Sequence, residues 1–464
     1  MPNKFALVLL AATALTACTM APRYERPEAP VAASWANQTG TAIEAAREIS
    51  WRKVFVAPEL QTLITEALAN NRDLRIATLN IEAARAMYRI QRADLLPSIN
   101  ATGTGTRQRV PENASLTGSS EITSSYAANI GAAAYELDLF GRVRSLSRRA
   151  FNQYMATEEG RNAAQTTLVA EVATAYLTYL ADAELLKLTE DTLKTQQESY
   201  DVISRSFDMG VGSQLEVSQA ATQVETARAN LAIYKRQLEQ DKNALTLLVG
   251  KEIDPKLLAP KSLNSVMVMD ELPVGLPSDV LLQRPDIRQA EYVLKGENAN
   301  IGAARAAFFP SISLTGSAGF ASNSLDNLFS SGSGGAWAFT PQITLPIFQT
   351  GRLLANLKLA NTNRDIAVAQ YEKAIQTAFR EVADGLVART TYTEQLQAQQ
   401  ALVAASEKAY VVSQARYKQG LDSNLTQLDA QRSFYAAQQN EIGVRLQRLV
   451  NLANLYKALG GGQQ

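Results

Sequence analysis

Histidine is absent from the 464 residues of this chain, and cysteine occurs once, at Cys18. The commonest general base and the commonest metal ligand are therefore missing. A histidine-based triad, a His/Cys zinc site and a disulfide within the chain are all excluded. An excess of charge is missing too. The 45 basic and 45 acidic side chains cancel, so nothing marks the chain as a partner for nucleic acid or another polyanion. After the N-terminus no apolar run reaches the ~18 residues of a membrane helix. If the chain crosses a bilayer, it is expected to do so with β-strands. The reading is of a non-enzyme with no metal and no cofactor.

What is present begins with the N-terminus. Lys4, the apolar run Phe5 to Ala14 and then Leu15-Thr16-Ala17-Cys18 make a basic, a hydrophobic and a small-residue region in the order of a secretory signal. Leu-Thr-Ala-Cys resembles the bacterial lipobox, which implies cleavage before Cys18 and a covalent lipid on its sulfur. Thr19, rather than an aspartate, follows the cysteine, and the same resemblance implies sorting to the outer membrane. Pro22, Pro27, Pro30 and Pro58 then mark an extended tether.

The rest of the chain is written twice. Leu96-Pro97-Ser98-Ile99 returns as Phe309-Pro310-Ser311-Ile312, and Asp73-Leu74-Arg75 as Asp286-Ile287-Arg288, both at an offset of 213. Phe207, Gly210 and Ser213 return as Tyr417, Gly420 and Ser423, at an offset of 210. Each half starts with a helical pattern, near 59–94 and 285–306, and passes into alternation of period two. In the first half Ile99, Ala101, Gly103 and Gly105 alternate with polar residues, and Tyr126, Ala128, Ile130, Ala132 and Ala134 do the same. In the second, Ile312 to Phe320 and Trp337 to Leu345 repeat the pattern. Strands of about ten residues with one apolar and one polar side are the signature of a membrane β-barrel, with a soluble sandwich as the weaker alternative. Two hairpins cannot close a barrel, so strands from other chains are required.

A very long helical segment follows each hairpin. Val143 to about Arg205 keeps Val172, Ala175, Tyr179, Leu186 and Leu193 in heptad-like spacing, with Asp182 as the exception. Arg352 to about Arg416 does so through Val368, Tyr371, Ile375, Ala378 and Val382. Such helices run to about 95 Å and read as coiled coil. Each turns at a glycine-bearing tip, Gly210-Val211-Gly212-Ser213 or Gly420-Leu421-Asp422-Ser423, into a return helix. One return seam runs Val217, Ala220, Val224, Ala227; the other runs Leu425, Leu428, Tyr435, Ile442, Leu446, Leu449.

Lipobox, duplication, hairpins and helices together resemble the TolC-type outer-membrane factors, in the lipoprotein branch serving RND multidrug efflux pumps. Tyr135-Glu136-Leu137-Asp138-Leu139-Phe140-Gly141-Arg142, Arg284-Pro285-Asp286-Ile287-Arg288 and Leu428-Asp429-Ala430-Gln431-Arg432 carry the resemblance. It implies a mixed α and β membrane protein, a homotrimer with a 12-stranded β-barrel continued by a 12-helix coiled-coil α-barrel, with two structural repeats per chain. The implied domains are a signal at 1–17, a lipid-anchored segment at 18–57, repeat 1 at 58–250, an equatorial linker at 251–284, repeat 2 at 285–458 and a tail at 459–464. Within the repeats the hairpins are expected at 98–139 and 311–348, the long helices at 143–206 and 352–416, and the return helices at 213–249 and 424–458.

The implied function is the outer-membrane exit duct of a tripartite pump, passing drugs or other small toxic compounds. The partners are two further copies of the chain, a periplasmic adaptor, an inner-membrane RND transporter and outer-membrane lipid. A duct for type I protein secretion or metal export shares the fold, and a non-conducting coiled-coil lipoprotein is the alternative from another class. The resemblance gives Asp429 a place in a ring at the bore, gives Tyr417 a gate position and gives Glu216 the acid that it contacts. Thr426 stands where a second ring aspartate can occur, and Asp422 where some relatives carry a lock arginine, which implies a weaker lock. The tips, Gly210, Val211, Gly212 and Ser213 with Gly420, Leu421 and Ser423, are expected to receive the adaptor. Arg142 and Arg352 close the strand-to-helix junctions, at the expected edge of the membrane.

Overall fold

The computed structural model describes residues 19–32, 50–115, 118–259, 261–263, 282–330 and 334–461. The leader, Cys18 and most of the expected linker lie outside the described residues. In chain order the helices are α1 (Trp51–Val54), α2 (Pro58–Asn70) and α3 (Arg72–Ala93), followed by strands β1 (Ile99–Val110) and β2 (Glu121–Leu137). Then come α4 (Arg142–Asp208), α5 (Gln214–Val249), α6 (Pro285–Ala306), β3 (Ser311–Ser322), β4 (Gly334–Thr344), α7 (Arg352–Lys418) and α8 (Asn424–Ala458). The chain divides into two units. One is Met1–Pro27, Asn80–Thr157 and Gln289–Tyr371; the other is Glu28–Leu79, Glu158–Arg288 and Glu372–Gln464.

The first unit holds a four-stranded antiparallel sheet in the order β1-β2-β3-β4, so the two hairpins join through β2 and β3. Its register sorts the side chains by chemistry. Ile99 lies opposite Ala132, Ala101 opposite Ile130, Ala128 opposite Phe320 and Ala318 opposite Trp337. These share one face, since side chains of period two alternate between faces. Thr102 opposite Asn129, Thr315 opposite Thr340 and Ser313 opposite Gln342 share the other. The apolar face is bare in one copy of the chain, with Trp337 80% exposed and Phe339 61%. Close pairing of β2 and β3 admits no side chain at two glycines. A Cβ on Gly131 would stand 2.2 Å from the Gly316 carbonyl oxygen, and one on Gly319 would stand 2.1 Å from that of Ala128.

The alternation expected to reach Ala134 breaks earlier. Between Ala132 and Tyr135 the register shifts, and Ala133 and Ala134 together stand opposite Thr315. Ala134 adopts φ 52°, and its N–H donates to Thr315 Oγ1 at 3.1 Å. This β-bulge exchanges the faces: even-numbered residues point to the apolar side before it and odd-numbered ones after it.

An extended segment, Thr19 to Pro27, is strapped antiparallel along α6. Arg305 Nη1 donates to the Met20 carbonyl at 3.3 Å, Asn298 Nδ2 to that of Pro22 at 2.8 Å, and Tyr24 and Arg26 both donate to Glu291. The Thr19 and Ser145 hydroxyls are 3.0 Å apart. Gly302 is required where the strap crosses, because a Cβ there would lie 2.7 Å from Ala21 N.

The second unit is helical. Its α4 core is Val169, Val172, Ala173, Tyr176, Leu177 and Leu180, and α7 buries Ile375, Ala378 and Val382 at coiled-coil spacing. On α8 the buried residues Leu428, Tyr435, Ile442 and Leu449 keep a strict heptad. Leu425, expected in that seam, is instead 50% exposed, because it lies in the first turn beside the tip. The single helix expected over 59–94 is two helices. Asn71 breaks it: its backbone is extended (φ −60°, ψ 133°), its Oδ1 accepts from Leu74 N, and its Nδ2 donates to the Leu248 carbonyl. Gly250, at φ 77°, packs against the carbonyl of Asn70, where a Cβ would stand 2.4 Å away.

Candidate functional site

The two tips share one backbone. Val211 N donates to the Ser206 carbonyl at 3.0 Å and Leu421 N to that of Arg416 at 2.9 Å. Gly210 and Gly420 take φ of 77° and 73°, the left-handed turn that closes a helix C-terminus. Ser213 and Ser423 then cap the return helices, accepting from Glu216 N and Thr426 N.

The side chains differ. The first tip is apolar, with Met209 71% and Val211 79% exposed and Leu215 beside them. Glu216 is occupied locally: its Oε2 accepts from Ser213 N at 2.9 Å, completing a capping box. The expected contact of Glu216 with Tyr417 is electrostatic only. Burial, and then the Glu216 charge, push the Tyr417 phenol above its ordinary pKa, but no hydrogen bond joins the two among the described residues. In the second tip Asp422 accepts twice from Arg416, at 2.7 and 2.9 Å. Its charge is met within its own hairpin, and Arg416 holds its carboxyl below the usual range.

Asp429 is exposed, but not alone: Arg432 Nη2 donates to it at 2.6 Å. Thr426 bonds to the Ser423 hydroxyl at 3.1 Å. Arg416 and Arg432 were missed from the sequence, although the i,i+3 spacing of Asp429 and Arg432 on a helix is a readable signal. Also unforeseen are Asn424, Gln427 and Gln431, buried at the start of α8. Their side-chain oxygens have no partner among the described residues. Buried amides left unbonded weaken the packing of that end.

A second charged group lies at the foot of the sheet. Arg142 Nε and Nη2 donate to the two oxygens of Glu136 at 2.8 and 2.5 Å. Asp138 accepts from Val143 N and Arg144 N, starting α4, and holds the Arg144 side chain. Among the described residues the counterpart Arg352 has only a neutral side-chain partner, Gln349 Oε1, at 2.7 Å.

The profile of the family described as "Outer membrane efflux protein" matches residues 63–251 and 276–461. The chain is 55% identical, over 98% of its length and 95% of the other's, to the probable efflux pump outer membrane protein TtgC of Pseudomonas putida. It superposes with a TM-score of 0.90 and 46% identity on a membrane protein from Pseudomonas aeruginosa, covering 96% of this chain and 98% of that one. With the open state of the Neisseria gonorrhoeae MtrE outer membrane channel the TM-score is 0.88 at 43% identity, covering 96% and 99%.

Proposed function

The chain belongs to the outer membrane efflux protein family and acts in export at the outer membrane, and from that premise we propose that it is the passive exit duct of a tripartite pump. Three copies of the four-stranded sheet join into a twelve-stranded barrel, and their helix pairs form a tunnel in the periplasm. An adaptor seats on the tips, an RND transporter loads the duct from below, and small toxic compounds leave through it. The observation that carries this is the sheet register. It puts Ile99, Ile130, Phe320 and Trp337 on one face and Thr102, Asn129, Thr315 and Gln342 on the other, and among the described residues it leaves β1 and β4 each paired on one side only. A sheet with one lipid-facing and one water-facing side, open at both edges, is satisfied by closing with further copies.

The strap supports a lipid anchor on Cys18. It holds Thr19, the next residue, at the end of α6, whose last residue, Ala306, precedes β3 at Ser311. The apolar first tip and the exposed Leu421 support adaptor docking at Gly210 to Ser213 and Gly420 to Ser423. Tyr417, Glu216, Asp422 and Asp429 remain the gate residues of this reading, with Arg416 and Arg432 added.

Purified protein in a planar bilayer is expected to conduct, and loss of the gene to raise susceptibility to exported compounds. A structural rod conducts nothing and fails the first test. At the gate, Asp429→Ala is expected to raise leak conductance and weaken block by divalent cations. Arg432→Gln, which frees the carboxylate, is expected to strengthen that block. Identical block in both variants and the wild type would remove Asp429 from the bore.

A further inference from the structure

We infer that Glu136 and Arg142 line the bore at the foot of the barrel and set its ion selectivity, an inference that rests on the duct reading above. The argument starts from parity. On β2 the apolar face carries Tyr126, Ala128, Ile130 and Ala132, all even-numbered. Continued without interruption, that count would turn Glu136 toward the lipid face, where an ionised carboxylate is unfavourable. The bulge at Ala133 and Ala134 prevents this. After it Tyr135 stands opposite Leu314 and Leu137 opposite Ile312 on the apolar face, while Glu136 stands opposite Ser313 on the polar one.

The bulge holds a non-glycine residue at positive φ, an unfavourable backbone that persists where the surroundings fix it. Here Thr315, on the polar face, holds it through Ala134 N. The strain delivers one carboxylate to the water-facing side, within reach of Arg142. The bidentate pair is half-open: the side chains are 26% and 42% exposed. Two cavities, of about 270 and 630 Å³, are each lined by both residues, so the pair borders open space on either side. Asp94 lies close enough for its charge to act on Arg142.

The second repeat does not copy the arrangement. Thr344 and Pro346 stand where Glu136 and Asp138 do, and among the described residues the Arg352 side chain has only Gln349. Three copies therefore present three ion pairs and not six, beside three Arg352 guanidiniums that border the same cavity. Removing either member of the pair leaves its partner's sign repeated around the bore, and rings of like charge favour the opposite ion.

The test is the K⁺/Cl⁻ permeability ratio of purified protein in planar bilayers under a salt gradient. Glu136→Gln is expected to lower the ratio and Arg142→Gln to raise it, each roughly twofold or more. The exchange variant Glu136→Arg with Arg142→Glu is expected to return it toward wild type. Wild-type ratios in both conducting single variants would overturn the assignment while leaving the duct intact. A wild type that does not conduct would instead overturn the duct reading itself. Should the single variants fail to insert, Ser313→Cys and Leu314→Cys decide the facing. A charged thiosulfonate reagent should alter the current of Ser313→Cys alone, and no change there would sink the inference.

Discussion

Arg284→Ala will destabilise the helical unit by about 3 kcal/mol, the cost of breaking a buried ion pair from one side. Only 5% of the Arg284 side chain is exposed. Its guanidinium is the meeting point of three helices. Nε and Nη2 donate to Asp286 at the start of α6, at 3.0 and 2.7 Å. Nη2 also donates to Glu381 on α7 at 2.9 Å, and Nη1 donates to the carbonyl of Ala458, the last residue of α8, at 2.6 Å. Alanine leaves a helix-end carbonyl buried without a donor and two carboxylates without a cation. Those carboxylates are partly exposed, at 43% and 35%, and regain some hydration, which places the effect at the lower end of the range for such pairs. Lysine will not rescue the position, because one ammonium cannot reproduce the fork that reaches three partners. The check is the midpoint of thermal unfolding of the detergent-purified protein, followed by far-ultraviolet circular dichroism. A drop of several degrees is expected for both variants, and an unchanged midpoint in Arg284→Ala would show that the three helix ends are held by something else.

Arg284 also shows which features the sequence discloses. Arg284-Pro285-Asp286 stands out as a motif, but its partners lie 97 and 174 positions away, and no periodicity links them. The architecture was legible because it is periodic. The alternation of Ile312 to Phe320 is the β3 register as observed, and the glycines and serines of the two tips hold the backbone that their residue types require. The illegible parts are breaks in those periods. Asn71 splits a helix without a proline or glycine, by bonding to a carbonyl more than 170 residues away. Ala134 makes a bulge with a residue that shows no preference for one, and the reversal of parity follows from the Thr315 hydroxyl across the sheet. At the second tip, the Asp422 pair with Arg416 spans six residues across a turn whose closing the sequence does not display, whereas the Asp429–Arg432 spacing on one helix was there to be read.

Asp182, the one residue out of pattern in the seam of α4, leads to the second large effect. It faces Asp241 on α5, close enough for the two carboxyls to share a hydrogen bond once one of them is protonated. Burial, then the Asp182 charge, then that hydrogen bond push Asp241 up to about 7; burial raises Asp182 as well. The neighbouring titratable groups are the Tyr179 and Tyr234 phenols, with Glu239 acting on Tyr179. In the unfolded chain Asp241 ionises near 4, so between about pH 4 and pH 7 the folded protein keeps a proton that the unfolded chain has released. The stabilisation is therefore complete below about pH 4, falls as pH rises, and is gone once pH passes the folded value near 7. Asp241→Asn keeps a hydrogen-bond donor toward Asp182 and removes the ionisation. The variant should match the wild type only below about pH 4 and should gain on it between pH 5 and pH 8 by about 2 kcal/mol, the part of the effect that lies above pH 5, discounted for the half-exposed site. Unfolding midpoints of both proteins at pH 5, 6.5 and 8 measure this directly. Parallel curves would mean that the two carboxyls ionise independently. Convergence at low pH would identify the Asp182–Asp241 contact as a proton-dependent clasp between α4 and α5.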